Sequence, residues 1–351
     1  MEKRWFIRSP VQTKVFYFKI TMDIKDRLDI YQKNSPAFLS PFLSAKERQR
    51  LKGVNRHCGR EYTSFPMFKD LSHYSRFNHS VGVSLLLSRF TTDPKIILSG
   101  LFHDIATPAF AHVIDFLLGD HLKQEATESK TEHFINNSPI IQTGLQNLGL
   151  STKDVSNYHL YPLADNDSPR LSADRLEYTL SNTLNFGFGS QDDIRKILND
   201  LVILKNEDDL VERGFRTENT AYLRSELSLK CGEIYTMDED RYGREYLAHV
   251  IKKAINNRVL SFDDLYTSED KVIQKLMDNP STKDSFISFT SLSKVTRCKE
   301  GNPFSYKINA KKRFIDPLIQ NKGRASFVFP DLKKERDAFK SLSFNYYLKG
   351  N

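Results

Sequence analysis

Residues Tyr74–Asp115 read YSRFNHSVGVSLLLSRFTTDPKIILSGLFHDIATPAFAHVID, and the reading of this stretch decides the fold. Arg76 and His79 precede an apolar run, Val81–Phe90, and a second run, Lys95–Ile105, carries the adjacent pair His103-Asp104 at its end. Pro94 and Pro108 bracket the second run at positions where proline starts and stops helices. Both runs are apolar nearly all round, the pattern of helices buried in a core. An imidazole and a carboxylate are costly to bury there without partners. A metal ion is the partner that accounts for several of them together.

Neutral imidazole and carboxylate suit Mn, Fe, Ni or Zn and, less well, Mg. If the two helices cross at their ends, His79, His103 and Asp104 converge. One more oxygen donor completes a set that leaves positions open for water. The candidate is Asp174 in LSADRLEYTLSN, an acid on a helix that otherwise carries Leu171, Leu176 and Leu180. Taken singly, each residue has a plainer reading, as a hydrogen-bonded core histidine or a capping aspartate.

Composition frames the rest. The chain has 351 residues, 39% hydrophobic and 27% charged, enough for a large soluble domain or two ordinary ones. Cys58, Cys231 and Cys298 lie far apart without CxxC spacing. That excludes a cysteine zinc knuckle, argues against a disulfide framework and predicts a reducing cytoplasm. No window approaches the roughly 20 apolar residues of a membrane span. The opening MEKRWFIRSPVQTKVFYFKI is interrupted by charges and reads as part of the fold. The net charge of +8 suits nucleotide phosphates, nucleic acid or another anionic partner. Basic residues cluster only briefly, at Lys311-Lys312-Arg313 and Lys333-Lys334, so nucleic acid rests on charge alone.

The expected fold is mainly α, a helical body with a smaller α+β C-terminal part. A strand is predicted at Val15–Ile20 and helices at Asp23–Gln32, Ser44–Val54, Ala109–Leu118 and Leu171–Leu184. Asp192–Leu204, Thr220–Thr236, Tyr242–Asn256 and Ser268–Met277 continue the helical body. Past Pro280, FISFTSLSKV, FSYKINAKKRFIDPLI and GRASFVFPDL suggest strands. The expected division is residues 1–45 as a segment packed on the body, 46–280 as the helical domain and 281–351 as the small α+β part.

His79, then His103-Asp104, then Asp174 resembles the H…HD…D signature of the HD-domain metal-dependent phosphohydrolases. RFNHSVGV, GLFHDIATPAFAHVID and SADRLEYTL are similar to the RFEHSLGV, HDxGHxPFSHxxD and DxxDY segments of the deoxynucleoside triphosphate triphosphohydrolase (dGTPase, SAM-and-HD-domain) branch. RQRLKGV, the helix pair around VLSFDDLY and KKRFIDP extend the resemblance over roughly residues 40–320.

The resemblance implies one divalent ion held by His79, His103, Asp104 and Asp174, with a second Mg arriving with substrate phosphates. It places His112 and Asp115 over the reacting phosphate, with His112 as donor or proton carrier. Arg76 and Arg175 contact phosphate oxygens, Tyr178 lies against the nucleotide, and Arg224 adds a phosphate contact. Arg56 and Asn182 stand where the branch keeps the glutamine and aspartate that read the sugar. Thr107 stands where it keeps a histidine, and Gln124-Glu125 where it keeps a His-Glu pair, both histidines being used near the phosphates; His121 and His133 lie out of register. The expected activity is hydrolysis of a nucleotide, a (deoxy)nucleoside triphosphate first, by a homo-oligomer. The alternatives are an HD protein that senses nucleotide or nucleic acid by binding, and a nuclease or phosphodiesterase on single-stranded nucleic acid.

Overall fold

Three capped helices carry the residues singled out above. In the computed structural model, which describes residues 23–119, 122 and 130–351, Ser75 caps the helix Arg76–Ser88 by accepting from the Asn78 amide at 3.3 Å. Asp93 caps Pro94–Phe102 through the Lys95 amide at 2.9 Å, with Pro94 in the first turn. Ser172 caps Ala173–Asn185 through the Arg175 amide at 3.2 Å. Each cap satisfies an orphan amide and fixes where its helix starts.

The first two helices pack closely. A Cβ on Gly100 would lie 2.4 Å from Leu87 Cδ1 and 3.0 Å from Val83 Cγ1, so only glycine permits the approach. From Asn78 to Leu87 every residue of the first helix is buried. Around this pair an apolar core gathers Leu86, Leu98, Phe102, Leu176 and Leu180. A second core forms about the helix Asp238–Asn256, with Phe65, Phe110, Leu247, Ile251 and Phe289.

The architecture is mainly α with two small sheets. The antiparallel hairpin Leu201–Lys205/Val211–Phe215 pairs Leu201 with Phe215, and Gly214 aligns in parallel with Leu318. Gly323–Arg324 completes that four-stranded sheet. In the three-stranded sheet Tyr347–Gly350 runs antiparallel to both Val295–Cys298 and Tyr306–Lys307. Among the described residues no helix is long and apolar enough to cross a membrane.

Several expected elements differ. The helix placed at Asp192–Leu204 ends at Asp200, because LVILK pairs across the hairpin instead. FISFT, expected in a strand, closes the helix Pro280–Thr290; Asn279 caps it, and Thr282, Phe286 and Phe289 are buried at helical spacing. After Gly323–Arg324 the chain turns helical at Ala325–Val328 rather than continuing as a strand. Ser44–Val54 is not one helix but an α turn, Lys46–Gln49, followed by the 3-10 segment Arg50–Gly53. The helix expected from Ala109 begins only at Val113, because Phe110 and Ala111 adopt positive φ of 61° and 46°. The expected strand Val15–Ile20 lies outside the described residues.

Candidate functional site

The three capped helices bring four ligand-type side chains to one point. His79 lies one turn into its helix, His103 and Asp104 directly follow Phe102, and Asp174 is in the first turn of Ala173–Asn185. His79 Nε2 is 3.2 Å from His103 Nε2, 3.0 Å from Asp174 Oδ1 and 3.6 Å from Asp104 Oδ2. His103 Nε2 is 3.5 Å from Asp104 Oδ2 and 3.8 Å from Asp174 Oδ1. His79, His103 and Asp104 each offer one ligand atom within 4.8 Å of the others, and all three are buried.

The chemistry of this donor set fits a divalent cation. His103 Nδ1 lies 2.7 Å from the Gly100 carbonyl, which only accepts, so the ring proton sits on Nδ1 and the Nε2 lone pair points into the cluster. That lone pair meets a second imidazole nitrogen and two carboxylates. Converging acceptors without a donor repel one another, and a cation resolves the repulsion. Without one, a proton on His79 is the substitute. Burial works against it, but the charge of Glu177 and hydrogen bonds to Asp174 and Glu177 outweigh burial and raise the His79 pKa.

Around the cluster, Asp104 and both histidines are held from behind. Arg76 Nη1 donates to Asp104 Oδ2 at 2.9 Å and Oδ1 at 3.3 Å, and the Thr107 hydroxyl donates to Oδ1 at 2.8 Å. Burial disfavours the Asp104 anion, but Arg76 and the two histidines overcome it and hold the carboxyl well below its usual range. Asp174 is lowered as well, against burial, by His79. His79 Nδ1 hydrogen-bonds Glu177 Oε2, a residue one turn beyond Asp174.

The site opens into a cavity of about 730 Å³. Of the expected phosphate and nucleotide contacts, Arg76, Arg175, Tyr178, Arg56, Asn182 and His112 all line it. Arg175 Nη1 donates to Asp165 at 2.8 Å, and the Arg313 guanidinium lies 5.8 Å from the Tyr178 ring centroid. Asn182 Nδ2 donates to the Tyr235 hydroxyl at 2.6 Å. Arg56 is turned toward Glu177, Ser181 and the Tyr178 carbonyl. Asp115 stands behind His112, fully buried, and accepts from its Nδ1 at 2.8 Å. Burial lowers the His112 pKa, with Asp115 opposing.

Arg224 is not brought to the cavity; it is fully buried, and its Nη2 reaches the Arg175 carbonyl at 3.4 Å. His133 sits on the helix Thr131–Asn136, beside Asn137, away from the cavity. His121 and Gln124-Glu125 lie outside the described residues.

Sequence reading missed several participants. Glu177 was legible in principle, since the spacing of Asp174 and Glu177 puts both on one helix face. Arg60 and Arg244, which share Asp240 on the cavity wall, carry no local signal. Nor did the turn before His112. Its Phe110 amide donates to Glu269 at 3.2 Å and its Ala109 amide to the Leu265 carbonyl at 2.7 Å, which hold two non-glycine residues in the left-handed region.

Against known proteins, no family model matches the chain. It is 26% identical over 293 residues to the uncharacterized protein YdhJ of Bacillus subtilis, covering 82% of this chain and 86% of that one. Over 262 residues it is 26% identical to a second protein, from Cordyceps militaris, covering 73% of this chain and 70% of that one. That relative is named metal-dependent phosphohydrolase cns2. Its name and the buried His-His-Asp group point the same way.

Proposed function

We propose that this chain is an HD-type metal-dependent phosphohydrolase acting on a nucleotide, with a (deoxy)nucleoside triphosphate as the first candidate. The observation that carries the reading is the convergence of His79, His103, Asp104 and Asp174 at the floor of a basic cavity. The distant relative named a metal-dependent phosphohydrolase supports the reaction class.

His79, His103, Asp104 and Asp174 would hold a divalent ion, which would supply Lewis acidity toward phosphate oxygen and lower the pKa of water. The chain's own groups do the rest. Arg76 and Arg175 present guanidinium forks to phosphate oxygens while their carboxylate partners, Asp104 and Asp165, fix their direction. His112 donates its Nδ1–H to Asp115, which leaves Nε2, on the opposite edge of the ring, to give or take a proton at the reacting phosphate. Tyr178 offers a ring face for the nucleoside.

The size and charge of the cavity favour a nucleotide over orthophosphate alone. About 730 Å³ falls within the range of small-molecule sites. Arg60 and Arg244 share a single aspartate, Asp240, so this part of the wall holds more cations than anions. Lys311, Lys312 and Arg313 line the same space. The test is metal analysis of purified protein, followed by a nucleotide panel with products separated by chromatography. Tripolyphosphate plus nucleoside is the expected outcome. Orthophosphate would instead make it a phosphatase, and no turnover with any of several metals despite measurable binding would overturn the enzyme reading.

A further inference from the structure

Glu177 is fully buried on the helix that carries Asp174, and its carboxylate meets two tyrosine hydroxyls, a guanidinium and an imidazole. The Tyr74 hydroxyl donates to Oε1 at 2.6 Å and the Tyr31 hydroxyl at 3.2 Å. Arg56 Nη1 reaches Oε2 at 3.4 Å, and His79 Nδ1 hydrogen-bonds the same oxygen. Space for this carboxylate is provided from the opposite helix. A Cβ on Gly82 would lie 2.9 Å from Glu177 Cγ and 3.0 Å from both Oε1 and the Tyr31 ring. A buried ionised carboxylate accepts and does not donate, so its contact requires the His79 proton to sit on Nδ1.

We propose that Glu177 is the positioning residue of the metal centre: it fixes His79 in the Nδ1–H form, aims the Nε2 lone pair at the cation, and ties that ligand to the cavity-lining Arg56. The inference rests on the metal reading of the site and deepens it. His103 is oriented by a neutral backbone carbonyl, whereas His79 is oriented by an anion, so the two imidazoles are held by different means. An anionic partner makes the ligating imidazole more basic and restricts its rotation. Because one oxygen serves both His79 and Arg56, the metal ligand and a cavity-lining cation share a single anchor.

The experiment uses the full chain and Zn2+ as the probe. In Zn2+-loaded protein labelled with 15N-histidine, His79 is expected to coordinate through Nε2 with its proton on Nδ1. Glu177→Gln places an amide N–H2 opposite two donors or forces the tyrosine hydroxyls to reorient. Its Zn2+ dissociation constant, from competition with a chromophoric chelator, should rise ten- to hundredfold. Thermal melting of the metal-free variant should stay within a few degrees of wild type. Tyr74→Phe, which keeps the ring and removes one donor, should weaken Zn2+ binding less; it and the wild-type spectrum decide the matter if Glu177→Gln does not fold. Wild-type Zn2+ affinity in Glu177→Gln, or a wild-type His79 without an Nδ1 proton, overturns the proposal alone. A wild-type chain that binds no Zn2+ overturns the metal reading and this proposal with it.

Discussion

Thr107 occupies the position where the resembled branch keeps a histidine, and it spends its hydroxyl on Asp104 Oδ1 at 2.8 Å. The residue therefore supports a ligand instead of reaching for substrate. Thr107→Val keeps the shape and leaves Arg76 as the Asp104 anchor. Metal affinity should fall several-fold, corresponding to about 1 kcal/mol, in a chelator competition, with little change in metal-free melting. A different acid governs pH dependence. Burial raises the Glu61 pKa from 4.5 to about 7, and burial together with the charge of Glu61 raises that of Glu269. Below pH 4.5 the Glu61 proton is bound in folded and unfolded chains alike, so it contributes nothing. Between 4.5 and about 7 the folded chain holds a proton that the unfolded chain releases, and stability falls as pH rises; above about 7 the loss is complete. Glu61→Gln should therefore melt higher than wild type at pH 8, and the gap should close toward pH 4.

At the scale of elements, the crossing at Gly100 joins packing to chemistry, because its carbonyl also holds His103 Nδ1. Gly100→Ala should destabilise the chain by about 1–3 kcal/mol through overpacking against Leu87 and Val83. The urea midpoint reads that loss, and metal affinity should drop with it as His103 shifts. The helices of the cluster were legible in sequence through their apolar runs and Pro94, but two of their starts were not: Ser75 opens the first helix ahead of Val81, so that Arg76 and His79 lie inside it, and Ser172 caps the third after Leu171. Where signals conflicted, the period was misread. Thr282, Phe286 and Phe289 are a helical stripe, but Ser and Phe in alternation resemble a strand. Leu201–Lys205 extends a helical pattern in sequence, and only pairing with Val211–Phe215 takes it out of the helix. The delayed helix at Val113 was invisible because its cause, anchoring by Leu265 and Glu269, lies far along the chain.

Across the whole molecule, the cluster of His79, His103, Asp104 and Asp174 was readable because these residues sit in recognisable segments, whereas the cavity wall was not. Arg60, Asp240, Arg244 and the 309–313 segment meet only through tertiary packing, and nothing in their local sequence announces it. The same reason explains why Arg224, on a helix expected at Thr220–Thr236 and found at Glu218–Thr236, turns away from the cavity into the core. The excess positive charge of the wall should appear in kinetics. KM for a nucleoside triphosphate should rise with ionic strength as cavity-mouth charges are screened, and Lys311→Gln with Lys312→Gln should raise it several-fold while kcat changes little. On the proposed function, one divalent ion on His79, His103, Asp104 and Asp174 is required for phosphate chemistry. Metal content and nucleotide turnover of the wild type and of His103→Ala/Asp104→Ala, measured on the same preparations, test it most directly. About one ion per chain with turnover is expected in the wild type, and loss of both in the variant. Turnover that survives in the variant would contradict it.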